Sequence, residues 1–119
     1  MKYVHIQLNT NSSNGLDGVF EVLCNAVGIM VFEERESDNY ADGRYYIFQH
    51  NGLNCTLALA DDDFCLDLPY WVSVSADQMA IIEIEARVES LVKDQLLPAG
   101  FRVARIENFG LVDQVRIDY

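Results

Sequence analysis

The chain has 119 residues, is 50% hydrophobic, and carries 19 Asp and Glu against 8 Lys and Arg, a net charge of −11. This length and apolar content predict a single domain over residues 1–119 and argue against an acidic disordered tail. No apolar run reaches the roughly 18 residues that cross a bilayer, and no signal peptide opens the chain, which predicts a cytoplasmic protein without a membrane partner.

The first part of the chain predicts a strand, a helix and a second strand. Residues 3 to 8 alternate apolar and polar side chains, which is typical of a half-buried strand. Gly28, suited to a helix C-terminus, follows a stripe of apolar residues at helical spacing, namely Leu16, Val19, Phe20, Leu23 and Val27. The apolar run Ile29 to Phe32 then predicts a strand. If the two strands are parallel, the crossover is right-handed.

Asn51-Gly52 predicts a two-residue type I′ turn that joins strands Arg44 to His50 and Leu53 to Ala60. The turn also sets the register of the hairpin. This register pairs His50 with Leu53, Phe48 with Cys55, and Tyr46 with Leu57. These pairs make one face of the hairpin apolar. We expect this face to meet the helices.

The remaining segments predict a strand, a second helix and two more strands. Tyr70 to Ala76 alternates as a strand, and Asp77 is suited to cap the following helix. The buried stripe of that helix is Ile81, Ile84, Val88, Leu91 and Val92, and Pro98-Ala99-Gly100 stops it. Phe101 to Phe109 and Gln114 to Tyr119 are strand-like. This order predicts an α+β fold, with a mixed, largely antiparallel sheet of five to seven strands and two helices on one face, an elaborated ferredoxin-like (split β-α-β) sandwich.

The acidic residues are clustered: Glu33 to Asp67 contains nine carboxylates and two arginines. The hairpin places the segments before Arg44 and after Ala60 at one end of the sheet, so two acidic loops with aromatic residues should converge there. Such a surface suits a basic protein partner. The predicted partner-binding residues are Glu36, Asp38, Tyr40, Asp42, Asp61, Asp62, Asp63, Phe64 and Asp67. Alternatively, these carboxylates only solvate turns and guard strand edges, while Phe64 and Leu66 enter the core.

Other classes of site are weakly supported by the residues. The run Asp61 to Asp67 has three adjacent acids and no glycine, unlike an EF-hand, so no metal or cofactor is expected. His5 and His50 fit no triad or ligand pattern. The spacing of the three cysteines matches neither a CxxC metal site nor a paired disulfide framework, so free thiols are expected. A pI near 4.3 opposes binding to nucleic acid. We therefore expect no enzyme.

In its small size, strong acidity, α/β order and lack of a catalytic motif, the chain resembles the immunity proteins that neutralise bacterial toxins, including those of contact-dependent inhibition systems. The resemblance rests on these whole-chain properties. It implies binding to a cognate basic toxin domain, commonly a nuclease or tRNase, whose active site or substrate surface is blocked. The acidic end of the sheet would then imitate a phosphate backbone, and the chain would be a monomer or weak dimer.

Two alternatives remain open. Type III secretion chaperones are also small and acidic, and an effector segment could bind at Tyr45, Ile47 and Trp71 on the outward strand faces. Their family pattern opens with a helix, however, whereas this chain opens with a strand. A small enzyme or ligand-binding domain would instead need a pocket between sheet and helices that includes Tyr46, His50 or Cys55.

Overall fold

The structure is a computed structural model that describes residues 3–11, 15–40, 43–60, 65–108 and 110–119. In chain order its elements are β1 (Val4–Thr10), α1 (Gly15–Val27), β2 (Phe32–Glu36), β3 (Arg44–His50), β4 (Leu53–Leu59), β5 (Tyr70–Ser75), α2 (Ile81–Leu91), β6 (Phe101–Glu107) and β7 (Val115–Asp118). A short π-helical segment, Val92–Leu96, continues α2. All strands except β2 begin and end within two residues of the predicted bounds.

The described strands form one sheet in the order β2-β3-β4-β5-β1-β6-β7, and every neighbouring pair is antiparallel. β5 and β6 therefore run in the same direction on either side of β1, and α2 joins them, which is a split β-α-β motif. β1 and β2 also run in the same direction, but three strands lie between them. The predicted α+β fold is confirmed, with a sheet that is antiparallel throughout the described residues.

Both helices pack on one face of the sheet, and the main core lies between these two layers. On α1 the buried side chains are those of the predicted stripe, and on α2 Ile84 and Val88 are buried. Alternate strand residues complete this core: Val4, Ile6, Leu8, Tyr46, Phe48, Leu53, Cys55, Leu57, Tyr70, Val72, Val74, Phe101 and Val103. Each large apolar side chain buried in this way stabilises the fold by about 1.5–3 kcal/mol, which explains why both amphipathic helices dock on the apolar face.

The β3-β4 hairpin forms in the predicted register, with Phe48 opposite Cys55 and Tyr46 opposite Leu57. Asn51 has a φ of 53° and Gly52 a φ of 80°. A type I′ turn requires these positive values at both central positions. The prediction that the apolar hairpin face meets the helices is also confirmed.

The second predicted strand was wrong in position. The strand observed is the acidic segment Phe32–Glu36, which is exposed at every position, and not the apolar run that begins at Ile29. Met30 is 90% exposed and Val31 is 82% exposed. β2 is exposed because of the strand order, since it is the edge strand of the sheet that the described residues form.

The start of α2 also differs from the prediction. Asp77 lies in a turn, and the helix begins at Ile81 after Ala80, without a side-chain cap. Residues between β5 and the helix are needed to carry the chain from the sheet to the helical layer. Met79 in this connection packs against the core. Tertiary packing therefore outweighs the local capping preference.

The sheet face that points away from the helices, called the open face below, is partly covered by residues 65–68. Cys65 and Leu68 form a small apolar cluster with Ala104 and Ile106 of β6. The side chain of Gln7 is only 1% exposed, and its amide donates a hydrogen bond to the Leu68 carbonyl at 3.1 Å. β1 is therefore largely buried on both faces, whereas its alternation predicted a half-buried strand.

Candidate protein-binding surface

The two acidic connections leave the same end of the sheet, as the sequence predicted. Glu36 at the end of β2 pairs with Arg44 at the start of β3, and Leu59 at the end of β4 pairs with Tyr70. The Asn51-Gly52 turn lies at the opposite end of the β3-β4 hairpin. We call the end that carries the two connections the acidic end. Its position follows from the tight turn, because a two-residue turn leaves the strands no freedom to slip.

The predicted partner-binding residues divide into those that the structure describes and those that it does not. Asp42, Asp61, Asp62, Asp63 and Phe64 lie outside the described residues. Glu36 and Asp38 are exposed at the acidic end, where their charges are available to a partner. Tyr40 and Asp67 are each held by contacts within the chain.

Asp67 is neutralised by arginines of the last two strands. Its carboxylate accepts hydrogen bonds from Arg116 at 2.7 and 2.9 Å and from Arg102 at 2.9 Å. The Arg116 hydrogen bonds are the main cause that lowers the pKa of Asp67 to about 2. The Asp67 carboxylate therefore ties its connection to β6 and β7 and contributes little free charge to the acidic end.

Tyr40 connects the acidic end to a row of rings on the open face. Its ring lies 4.5 Å from that of Tyr45 and 6.1 Å from that of Trp71, with interplanar angles of 26° and 18°. The row continues from Trp71 to His5 at 5.9 Å and from His5 to Tyr3 at 6.0 Å. We call these five side chains the aromatic row. Burial raises the pKa of Tyr40 and lowers that of His5.

Sequence reasoning found only part of the aromatic row. Tyr40 was predicted as a partner-binding residue, and Tyr45 and Trp71 were identified as outward-facing. Tyr3 and His5 were missed, although both occupy outward positions of the first alternating segment. They join the row because β1 lies beside β5, and this strand order cannot be derived from either segment alone.

The edge strand β2 leads into the acidic end. Residues 30–40 carry four carboxylates and one arginine. Arg35 forms an ion pair with Glu33 at 3.1 Å, while Arg44 lies 3.6 Å from Glu34 and 2.6 Å from Asp17 of α1. Exposed pairs of this kind are worth little individually, so the edge keeps its negative character.

Asp17 links α1 to the first strands of the sheet. Its carboxylate accepts hydrogen bonds from the Arg44 guanidinium and from the Tyr46 hydroxyl. These bonds lower the pKa of Asp17, and burial together with Asp17 raises the pKa of Tyr46. The Tyr46 ring stacks on Phe20 at 4.0 Å in the core, so this cluster has a structural role in holding α1 beside β3.

Tyr46, His50 and Cys55 do not line one pocket. Tyr46 and Cys55 are core residues, 6% and 1% exposed. His50 instead lines an open cleft of about 640 Å³ beside α2, together with Glu83 and Arg87. Burial raises the pKa of the Cys55 thiol to about 12, which keeps it protonated and unreactive at neutral pH.

Three further findings bear on the class of site. Among the described residues, no group of three or more His, Cys, Asp and Glu side chains is placed to hold a metal ion. Neither helix in the described ranges has the length and apolar character that crossing a membrane requires. No protein-family model, curated protein or solved structure matches the chain.

Proposed function

We propose that the chain binds and neutralises a basic protein partner, a cognate bacterial toxin domain of the nuclease or tRNase class, through the acidic end and the aromatic row. The observation that carries this proposal is the stacking of Tyr40, from an acidic connection, on Tyr45 and Trp71 of the open face. The proposal assigns the exposed carboxylates of the acidic end and the adjoining rings to one binding surface.

This combination is suited to a partner rich in arginine and lysine. A single-sign field accelerates encounter with an oppositely charged protein, by a factor that falls as salt rises. Aromatic faces then provide area that can be desolvated and, for arginine and lysine, a cation–π contact. Charge therefore supports fast association, and the aromatic row supports slow dissociation.

Inhibition by such a surface requires no catalytic group. A nuclease or tRNase domain presents a basic surface to its nucleic acid, so a rigid acidic protein that covers this surface excludes the substrate. The net charge of −11 makes the chain a competitor for the same basic groups. Function then depends on where the carboxylates lie and on how rigidly the sheet holds them.

Charge reversal at the acidic end tests the proposal against a matched control. Replacing Glu36 and Asp38 with Lys changes the net charge from −11 to −7, since each substitution adds two units. The control variant replaces Glu21 and Asp94 with Lys. Both residues are exposed on the helical layer, and the net charge changes by the same four units.

Stopped-flow association with the cognate basic domain that the proposal requires separates the two variants. We expect the acidic-end variant to associate at least about tenfold more slowly at low salt, and the control to stay close to the unchanged protein. Equal slowing of both variants would mean that only total charge matters. Failure of the unchanged protein to bind the basic domain or to inhibit it would refute the proposed function.

A secretion chaperone that binds an effector segment is the second candidate. The sequence suggested that an effector segment binds at Tyr45, Ile47 and Trp71. This surface is partly covered, because Tyr40 stacks on Tyr45 and Trp71. The exposed side chains of Met30 and Val31 beside β2 favour it nevertheless. Light scattering distinguishes the two, since an obligate dimer that binds an extended effector segment would support the chaperone.

A further inference from the structure

The outer side of β2 presents backbone groups at regular spacing. The amide of Ser37 donates a hydrogen bond to the carbonyl of Gly43 at 2.9 Å, one step beyond the Glu36 and Arg44 pair. In an antiparallel ladder, hydrogen-bonded pairs alternate with non-hydrogen-bonded pairs. Counting back along the register, Arg35 and Glu33 therefore hydrogen-bond to β3.

It follows that Phe32, Glu34 and Glu36 direct their N–H and C=O groups away from β3. β2 is the first strand in the sheet order, and no backbone hydrogen bond from another described segment reaches these three residues. Their side chains are also exposed. An edge of this kind is a template on which another extended chain can pair.

We propose that the β2 edge takes an extended basic segment of the partner as an added strand, an inference that rests on the proposed function. Main-chain hydrogen bonds would supply affinity, and alternate side chains would supply specificity. Phe32, Glu34 and Glu36 would each pair with one residue of the incoming strand.

The charges of β2 indicate which residues the incoming strand carries. Residues paired with Glu34 and Glu36 have side chains on the same sheet face as these carboxylates, and opposite charges directly across an antiparallel pair are favourable. Lys or Arg at those two positions would therefore be selected. Their own amides would point towards β2, because they occupy the hydrogen-bonded positions.

A cleft at the start of β2 offers a further contact. It has a volume of about 560 Å³, and its walls include Val31, Phe32 and Ile47, with Glu33 among the lining residues. A lysine or arginine can place its aliphatic stem against apolar walls while its charged group stays near a carboxylate and water. The cleft lies on the face of Glu33 and Ile47, so it is reached by side chains that alternate with those opposite Glu34 and Glu36. An apolar or basic side chain is favoured there over an acidic one.

A second copy of the chain is a poorer occupant. An antiparallel pairing of two β2 strands that uses all three outward residues places Glu34 opposite Glu34, and like charges directly opposite each other are destabilising. Each copy also carries a net charge of −11. Charge therefore favours a basic segment from a different protein.

Peptide binding tests the inference directly. The probe is a capped peptide of alternating Lys and Val, about seven residues long, measured by calorimetry at low salt. We expect N-methylation of the Lys amides to weaken binding by about tenfold or more, because several hydrogen bonds to β2 are lost. N-methylation of the Val amides, which face outward, should leave binding within about threefold.

Variants of the protein separate backbone pairing from charge. Glu34→Pro removes an outward N–H that β3 does not use, and an edge strand tolerates this change. Glu34→Gln removes the charge and keeps the N–H, so it should retain more binding than Glu34→Pro. If the proline variant fails to fold by circular dichroism, the two methylated peptides still decide the question on the unchanged protein.

The outcomes are distinguishable from failure of the proposed function. Equal binding of both methylated peptides, or no binding of the Lys-Val peptide, would overturn strand addition. A dimer that Glu34→Pro abolishes would instead place a second copy on β2 and would also overturn it. If the basic domain binds the proline variant normally but not the Glu36 and Asp38 charge reversal, the proposed function stands without strand addition.

Discussion

Arg116 of β7 donates two hydrogen bonds to the carboxylate of Asp67, which precedes it by 49 residues. This pair joins the β4-β5 connection to the last strand of the sheet. Because Arg102 donates to the same carboxylate, three segments meet at one acidic side chain. Asp67 therefore contributes to the shape of the acidic end more than to its charge.

Replacing Asp67 with Asn should reduce the loss of folding stability that occurs when the pH is lowered. The folded pKa of Asp67 is about 2, below its ordinary value of 3.8, so its contribution is present above about pH 4 and is lost as pH falls towards 2. The variant lacks that contribution at every pH. Urea unfolding at pH 7 and near pH 2.5 should thus show a smaller loss on acidification for the variant. Asp94→Asn is the control, and an equal loss in all three proteins would contradict this role for Asp67.

Tyr40→Ala should expose Trp71 and weaken partner binding. Trp71 is the only tryptophan, so its fluorescence reports directly on the ring that stacks against it. We expect a red-shifted emission and a loss of roughly 1 kcal/mol of stability. Tyr40→Phe keeps the ring and should preserve both the emission and the stability of the unchanged protein. Unchanged emission in the alanine variant would mean that Tyr40 does not cover the open face in solution.

Gly52→Val should destabilise the chain by at least about 1 kcal/mol. Gly52 has a φ of 80°, and an added Cβ would lie 3.1 Å from the Met79 side chain. Asn51→Gly is the matched change at the neighbouring position, where a type I′ turn accepts glycine. Thermal unfolding should separate the two variants. Similar melting temperatures would contradict the prediction that a side chain at position 52 strains the turn.

Cys55 should resist alkylation in the folded protein. Burial raises the pKa of its thiol to about 12, and the side chain is only 1% exposed. Cys24 is half-buried and should react first, although burial raises its pKa as well. Iodoacetamide labelling followed by peptide mass mapping checks the order, with urea-unfolded protein as the fully reactive reference. Rapid native labelling of Cys55 would show that the core opens locally.

Much of the fold was predictable because its signals are local. The Asn51-Gly52 turn determines the hairpin register, and the helical stripe of α1 identifies its buried face residue by residue. The end of the sheet at which the acidic connections emerge follows from the same turn. By contrast, the run Ile29 to Phe32 predicted a strand that the structure has instead at Phe32–Glu36, and an apolar run cannot show whether a strand lies at the edge or the centre of a sheet.

The sequence by itself thus determined the α+β class, the hairpin and the common end of the two acidic segments, since turn geometry and side-chain periodicity act over a few residues. Only the tertiary structure decided that β2 is an exposed edge and that Asp67 is neutralised by Arg116. It also assembled the aromatic row by placing β1 beside β5. These features depend on strand order, which is set by the packing of segments far apart in the chain and leaves no local pattern.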